Sequence, residues 1–244
     1  MDQMPSNEPV MNETKPRPAG WFQVWIKAVT KPSETTFYEL TEDPAATAKT
    51  AYLWAFIAGT FAMIMQSILQ AIYTATGSMP AIPGLEEYMP STTGGDAGST
   101  FVALAISLCL SPVVGGVSVL FFALSTAIIQ WIAKLFGGLG TYDKLLYAMA
   151  AITVPFTMVS SVLSLFSAIP FVGACFGIVS LGLSLYVLVL QVMAVKGVNR
   201  FGWGQAVGSV FIPMVVFFIV LCCCVAGFAS LLAPVMSESF QFAP

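Results

Sequence analysis

Five cysteines, one glycine-rich stretch and a few carboxylates are the residues that could do chemistry in this chain of 244 residues. Cys222, Cys223 and Cys224 are consecutive, while Cys109 and Cys175 stand apart. Neighbouring residues on a helix point in different directions, so the triplet does not converge on one metal ion. Adjacent cysteines also make poor disulfide geometry. They read as small polarizable packing residues, with S-acylation as the sharper alternative, which favours cytoplasmic juxtamembrane sites. The chain has no histidine, so the commonest general base and the commonest neutral metal ligand are missing. Gly137-Gly138-Leu139-Gly140 lacks the spacing of a phosphate-binding loop and reads as a flexible turn. Asn12-Glu13-Thr14 matches the glycosylation pattern but is expected to face the cytoplasm. A lipid-directed enzyme would need Glu34, Glu39 and Asp143 gathered at one surface, and Asp143 reads more simply as a helix-start residue beside Lys144. The expectation is no catalytic residue, no cofactor and no metal site.

The elements that carry these residues follow from composition. Only 9% of the chain is charged and the mean hydropathy is +0.86, against roughly 25% charged in soluble domains. Charge-free runs cover residues 50–85, 97–133, 145–195 and 201–237. A soluble globule would expose too much apolar surface, which excludes a soluble enzyme, a nucleic-acid-binding domain and a disordered chain. The fold class is an all-α integral membrane protein. Each crossing of a core of roughly 30 Å takes about 20 apolar residues. The first run holds one span, at 50–74, with Asp43 as its N-cap and Pro44 at its first helical position. The third run divides at Ile169-Pro170 into spans at 145–168 and 171–195. The fourth holds one span at 205–232, with Pro213 a kink. The second run is interrupted by Ser111-Pro112 and Gly115-Gly116. It is either an interfacial or re-entrant segment at 101–110 leading to a span at 113–133, or one kinked helix.

Basic residues settle the number of crossings. Lys15, Arg17, Lys27, Lys31 and Lys49 precede the first span, Lys134 and Lys144 follow the second, and Lys196 and Arg200 follow the fourth. Five transmembrane helices with the N-terminus cytoplasmic and the C-terminus outside put all nine on the cytoplasmic side. No cleavable signal peptide is visible, so the first span is expected to direct insertion. The domains expected are a disordered cytoplasmic tail (1–19), amphipathic juxtamembrane helices (20–48), the five-helix transmembrane domain (49–233) and a short outer tail (234–244).

Before the first span, Trp21, Trp25 and Val29 repeat at spacing four, with Phe22 and Ile26 beside them and Lys27 and Lys31 flanking. This pattern reads as a short interfacial helix, with Trp21 and Trp25 as membrane-interface anchors and Lys27 and Lys31 towards anionic lipid. Packing of the same face on the protein's own loops is the alternative, and docking of a partner is a third. Pro32-Ser33 ends it and caps a second short helix over 34–40. Gly173 with Gly177, and Gly204 with Gly208, are candidate helix-packing pairs. Gln66, Gln70, Gln130 and Gln191 lie in or near spans, where they hydrogen-bond between helices, reach the interface or line a polar cavity.

An ordered set of features resembles the Yip-type family of membrane proteins, named for interaction with Ypt/Rab GTPases. It comprises Trp21-Phe22-Gln23-Val24-Trp25 with Lys31-Pro32 and Phe37, then the family-motif turn Gly137-Gly138-Leu139-Gly140-Thr141-Tyr142. Pro155 in span three, the turn Ile169-Pro170-Phe171-Val172-Gly173, and Lys196 leading to Gln205-Ala206 complete it. The likeness covers roughly residues 20–232. It implies five spans, no enzymatic activity and, in eukaryotic members, vesicle traffic between endoplasmic reticulum and Golgi with binding of small GTPases and of each other. The N-terminal helix is of the kind seen in the bacterial branch, which implies a prokaryotic plasma (inner) membrane protein. The functional expectation is a non-enzymatic multi-pass protein that binds partners or organises and shapes the membrane. Its partners would be the lipid bilayer, a homo-oligomer or other membrane proteins, with a small GTPase only if eukaryotic and no nucleic acid. The alternative is a small permease for an uncharged or lipid-like substrate.

Overall fold

The computed structural model describes residues 20–76, 97–169 and 172–241. The expected N-terminal tail, the glycosylation pattern at Asn12, and Pro170 with Phe171 lie outside the described residues. Seven α-helices follow in order. They are α1 (Trp21–Thr30), α2 (Glu34–Glu42), α3 (Ala48–Thr76), α4 (Ala97–Leu135), α5 (Tyr142–Leu165), α6 (Val172–Asn199) and α7 (Trp203–Gln241), with one 3-10 turn at Phe166–Ala168. No strand occurs among the described residues. Five of the helices, α3 to α7, are long and apolar enough to cross a membrane, so the protein is an all-α integral membrane protein.

Helix α3 packs chiefly on α4 and α5, and α5 also touches α1, α2 and α6. Up-down alternation of α3 to α7 brings the described basic side chains from α1, α5 and α6 to one end, here called the basic end. There α5 is the centre. Residues Leu145, Leu146, Tyr147, Ala148, Met149, Ala150, Ala151 and Ile152 are all buried, because α5 is enclosed by α1, α2, α3 and α6. Helix α7 lies at the margin, packed chiefly on α6 and α4. Its residues Phe217, Phe218 and Val225 are exposed, as a helix apolar on every side is when lipid is its solvent.

Two helix starts show how local chemistry sets the boundaries. Ser33 caps α2 as expected, its Oγ accepting from Thr36 N at 3.0 Å. Asp43 does not cap the first span. Its Oδ1 accepts from Ala45 N two residues on, at 2.8 Å, which makes a local turn. The chain then re-enters a helix behind Thr47, whose Oγ1 accepts from Thr50 N at 3.3 Å.

The second charge-free run forms a single helix. Pro112 lies inside α4 and has no N–H for the carbonyl of Leu108, which apolar surroundings would leave unsatisfied. The Ser111 Oγ donates to that carbonyl at 2.8 Å. One side-chain hydroxyl thus replaces the missing backbone donor, and the helix continues. At 39 residues it is about 58 Å long at 1.5 Å per residue, more than the hydrocarbon thickness, so its first turns extend past the far end of the bundle. Helix α7 likewise runs past 232, to Gln241.

Helices α3 and α4 approach closely where neither carries bulk. A Cβ on Gly115 would collide with Thr60 Oγ1 and come within 3.1 Å of Thr60 N, and one on Gly59 would collide with Ser118 Oγ. Small residues in a membrane helix permit this contact.

Candidate functional site

The basic end joins three arrangements: an aromatic seat for α1, an ionic clamp formed by α2, and a glycine turn held by buried amides. Helix α1 carries apolar residues on two adjacent faces. One face, with Val24, Trp25 and Ala28, is buried. Trp25 meets Trp54 of α3 edge-to-face, with ring centroids 5.5 Å apart, and Trp21 does so at 5.9 Å. Trp54 in turn lies 5.1 Å from Tyr147 of α5. Such aromatic contacts add to burial. The indole N–H groups of Trp25 and Trp54 are buried with no hydrogen-bond acceptor among the described residues, so ring packing alone holds them. Trp25 is 9% exposed, whereas Phe22 is 73% and Ile26 58% exposed. The helix therefore points its second face, with Phe22 and Ile26, away from the protein.

Helix α2 reaches three other helices through its carboxylates. Glu39 pairs with Lys27 of α1 at 2.8 Å, Glu42 with Lys144 of α5 at 2.5 Å, and Glu34 with Lys196 of α6. Lys196 also lies over the Trp203 ring, 4.1 Å from its centroid, and Arg200 lies 4.2 Å from that of Tyr38. Gly197 makes the fit possible, since a Cβ there would stand 2.7 Å from Glu34 O. Glu34 and Glu39 thus serve as partners of lysines on different helices, and they do not form a carboxylate pair with Asp143. Lys31 is exposed beyond the end of α1.

The Lys144 hydrogen bond holds the Glu42 carboxyl below its ordinary value of 4.5. A lowered carboxylate pKa contributes stability that is fully present above the ordinary value and is lost as pH falls through the lowered one. Acidifying detergent-solubilised protein through this window should lower its thermal midpoint, and Glu42→Gln should flatten that part of the profile. The effect is small because both side chains are solvent-exposed. Thermal unfolding followed against pH measures it.

The turn Gly137-Gly138-Leu139-Gly140 sits between α4 and α5, closed by Asn199 at the end of α6. Gly137 adopts φ +85°, a left-handed conformation that favours glycine. A Cβ on Gly138 would lie 2.6 Å from Asn199 Oδ1, and one on Gly140 2.8 Å from both Asn199 Oδ1 and Val198 O. Gln130 Nε2 donates to Gly140 O at 2.8 Å and to Asn199 Oδ1 at 3.1 Å, while Asn199 Nδ2 donates to Val195 O at 3.1 Å. Leu139 N donates to Asn199 O at 3.1 Å. Both amides are buried, and they exchange hydrogen bonds with backbone groups that would otherwise lack partners. Thr141 occupies the N-cap of α5 without a side-chain cap bond. The Tyr142 hydroxyl donates to Ala123 O at 3.2 Å and lies 3.1 Å from the Tyr52 hydroxyl, tying α5 to α4 and α3.

The four glycines expected at helix packing have different surroundings. A Cβ on Gly208 would lie 3.3 Å from the Phe136 ring, and one on Gly173 2.8 Å from the Ser167 carbonyl oxygen. Gly177 and Gly204 meet nothing within 4 Å among the described residues. Close packing also involves Gly59, Gly115 and Gly197. Asn199 and Trp54 escape a reading of the sequence. A lone Asn next to basic residues and a Trp well inside an apolar run are the signals that could have found them. Among the described residues no group of three His, Cys, Asp or Glu side chains could hold a metal ion.

Five helices long and apolar enough to cross a membrane, with two short helices pinned across one end of the bundle, define a polytopic membrane protein whose built site is a cap on the basic end. The Yip1 domain profile matches residues 26–224, which takes in the second half of α1, all of α2, the glycine turn and much of α7. The chain belongs to the Yip1 domain family. No curated protein and no solved structure matches it.

Proposed function

We propose that this protein is a non-enzymatic organiser of membrane shape, with α1 as a wedge held at fixed height in one leaflet. The observation that carries this reading is the division of α1. Its Trp25 face is seated in the bundle, while Phe22 and Ile26 face outward beside Lys31. An amphipathic helix with one apolar face free inserts at the headgroup boundary. A wedge fixed to a bundle spreads one leaflet more than the other. With the basic residues on the cytoplasmic side, that leaflet is the cytoplasmic one. The host membrane would be the plasma (inner) membrane in a prokaryote and the endoplasmic reticulum or Golgi in a eukaryote. Self-association or other membrane proteins fit the same reading, and a small GTPase fits only a eukaryotic source.

The test is reconstitution into large vesicles containing anionic lipid, imaged by electron microscopy. The native chain should narrow vesicles or draw tubules. The double variant Phe22→Glu, Ile26→Glu should lose that effect while keeping its thermal midpoint. Equal remodelling by both, or none by the native chain, would reject the proposal. A permease is the second reading, favoured by two adjoining cavities between α3, α4, α5 and α6. The dense packing of α5 at the basic end weighs against a through-path.

A further inference from the structure

Two cavities adjoin on the face of the bundle away from the clamp. The outer one, of about 500 Å³, lies between α3, α5 and α6, and its polar lining is Gln66, Thr153, Thr157, Ser160, Ser161 and Ser164. The inner one, of about 280 Å³, lies between α3, α4 and α5 and is almost wholly apolar, with Ala55, Ala58, Val114, Phe122 and Val154 in its walls. They share Ala62, Met63, Thr153 and Thr157, so they form one mostly apolar groove whose polar side chains gather in the outer part. No charged side chain lines either part.

The polar part is placed where hydrocarbon should be. Gln66 is about 15 Å from the far end of α3, and Ser160 about 8 Å from the far end of α5, at 1.5 Å per residue. Both are exposed rather than packed inside the bundle. Ser161 and Ser164 donate to carbonyls of their own helix. The side chains of Gln66, Thr157 and Ser160 have no hydrogen-bond partner among the described residues. An amide left unpaired in a bilayer is costly, and three such groups beside one cavity call for a ligand with its own donors and acceptors.

We infer that this groove binds one uncharged amphiphile from the surrounding leaflet. Its hydroxyl or ester groups pair with Gln66 and Ser160, and one hydrocarbon tail enters the inner cavity past Met63. The lack of charge selects a neutral head, and the sideways opening admits a lipid from the bilayer. The combined volume falls within the usual range for small-ligand sites, roughly 300–1,000 Å³.

The test uses the full chain in phosphatidylcholine vesicles with a diacylglycerol carrying a diazirine on one tail. After illumination, labelled peptides should concentrate in α3 and α5 around Ala58, Ala62 and Val154, and unlabelled diacylglycerol should compete. Gln66→Leu with Ser160→Ala should cut labelling several-fold at an unchanged thermal midpoint. Ala62→Phe, which obstructs the passage between the two cavities, should remove label from the inner positions while leaving the polar side chains intact. Label spread evenly over all lipid-facing helices would overturn the inference. So would equal labelling by a diazirine-bearing alkane with no head, or Gln66 cross-linking to a second copy of the chain in place of lipid.

Discussion

Gly140→Ala is expected to destabilise the bundle by about 1–3 kcal/mol, the usual cost of forcing one methyl into a packed site, and to reduce folded protein recovered in mild detergent. The new Cβ would stand 2.8 Å from the Val198 carbonyl and from Asn199 Oδ1, and 2.7 Å from Val198 Cγ1. A flexible side chain could yield, but a backbone carbonyl at the end of α6 can move only with the helix. Displacing Asn199 also breaks its exchange with Gln130, which leaves buried amides without partners and adds a further penalty. The matched control is Gly177→Ala, where nothing lies within 4 Å. There the change should fall within about 1 kcal/mol and lean towards stabilisation, since alanine favours a helix over glycine. Thermal denaturation of both variants in the same detergent compares them directly. Equal midpoints would mean that the turn is not held by Asn199.

Trp54→Ala is expected to cost about 3–5 kcal/mol, the range for truncating a large buried aromatic, and to release α1. Trp54 is 1% exposed and is the ring on which Trp21, Trp25 and Tyr147 all meet. The readout is limited proteolysis in detergent. Cleavage between α1 and α3 should become rapid in the variant while the spans stay protected. Trp54→Phe should restore most of the protection, because a ring of smaller area still fills the seat. If cleavage at α1 is as slow in Trp54→Ala as in the native chain, the aromatic seat is not what fixes it.

The membrane architecture is readable from run length, because crossing hydrocarbon demands about twenty apolar residues whatever else the sequence encodes. The continuity of α4 is not readable in the same way. Proline normally interrupts a helix, and only the folded chain shows that the Ser111 hydroxyl reaches the carbonyl which Pro112 abandons. The site is partly legible. The glycine turn is visible as a motif, but its reason lies in Asn199, far along the chain at the end of α6, and no spacing rule joins the two. The face of α1 is ambiguous for a different reason. Trp21 with Trp25, and Phe22 with Ile26, both have helical spacing, so periodicity gives two apolar sides. The seat offered by Trp54 decides which one turns inward. Glycine spacing gives less: of the pairs marked by spacing of four, Gly173 and Gly208 lie against close neighbours, and the tight crossing of Gly59 against α4 and Gly115 against α3 follows no such spacing.

The three ion pairs of α2 have an electrostatic consequence. Lys27, Lys144 and Lys196 count towards the expected orientation of the chain, yet in the finished fold each is matched by a carboxylate of a single nine-residue helix. Attraction to acidic headgroups then rests on cations without such a match, of which Lys31, Lys49 and Lys134 are exposed. On the expected topology all nine cations would count for orientation while only the unmatched ones would remain for adhesion, so losing a clamp carboxylate should strengthen binding to anionic lipid without altering the count that sets orientation.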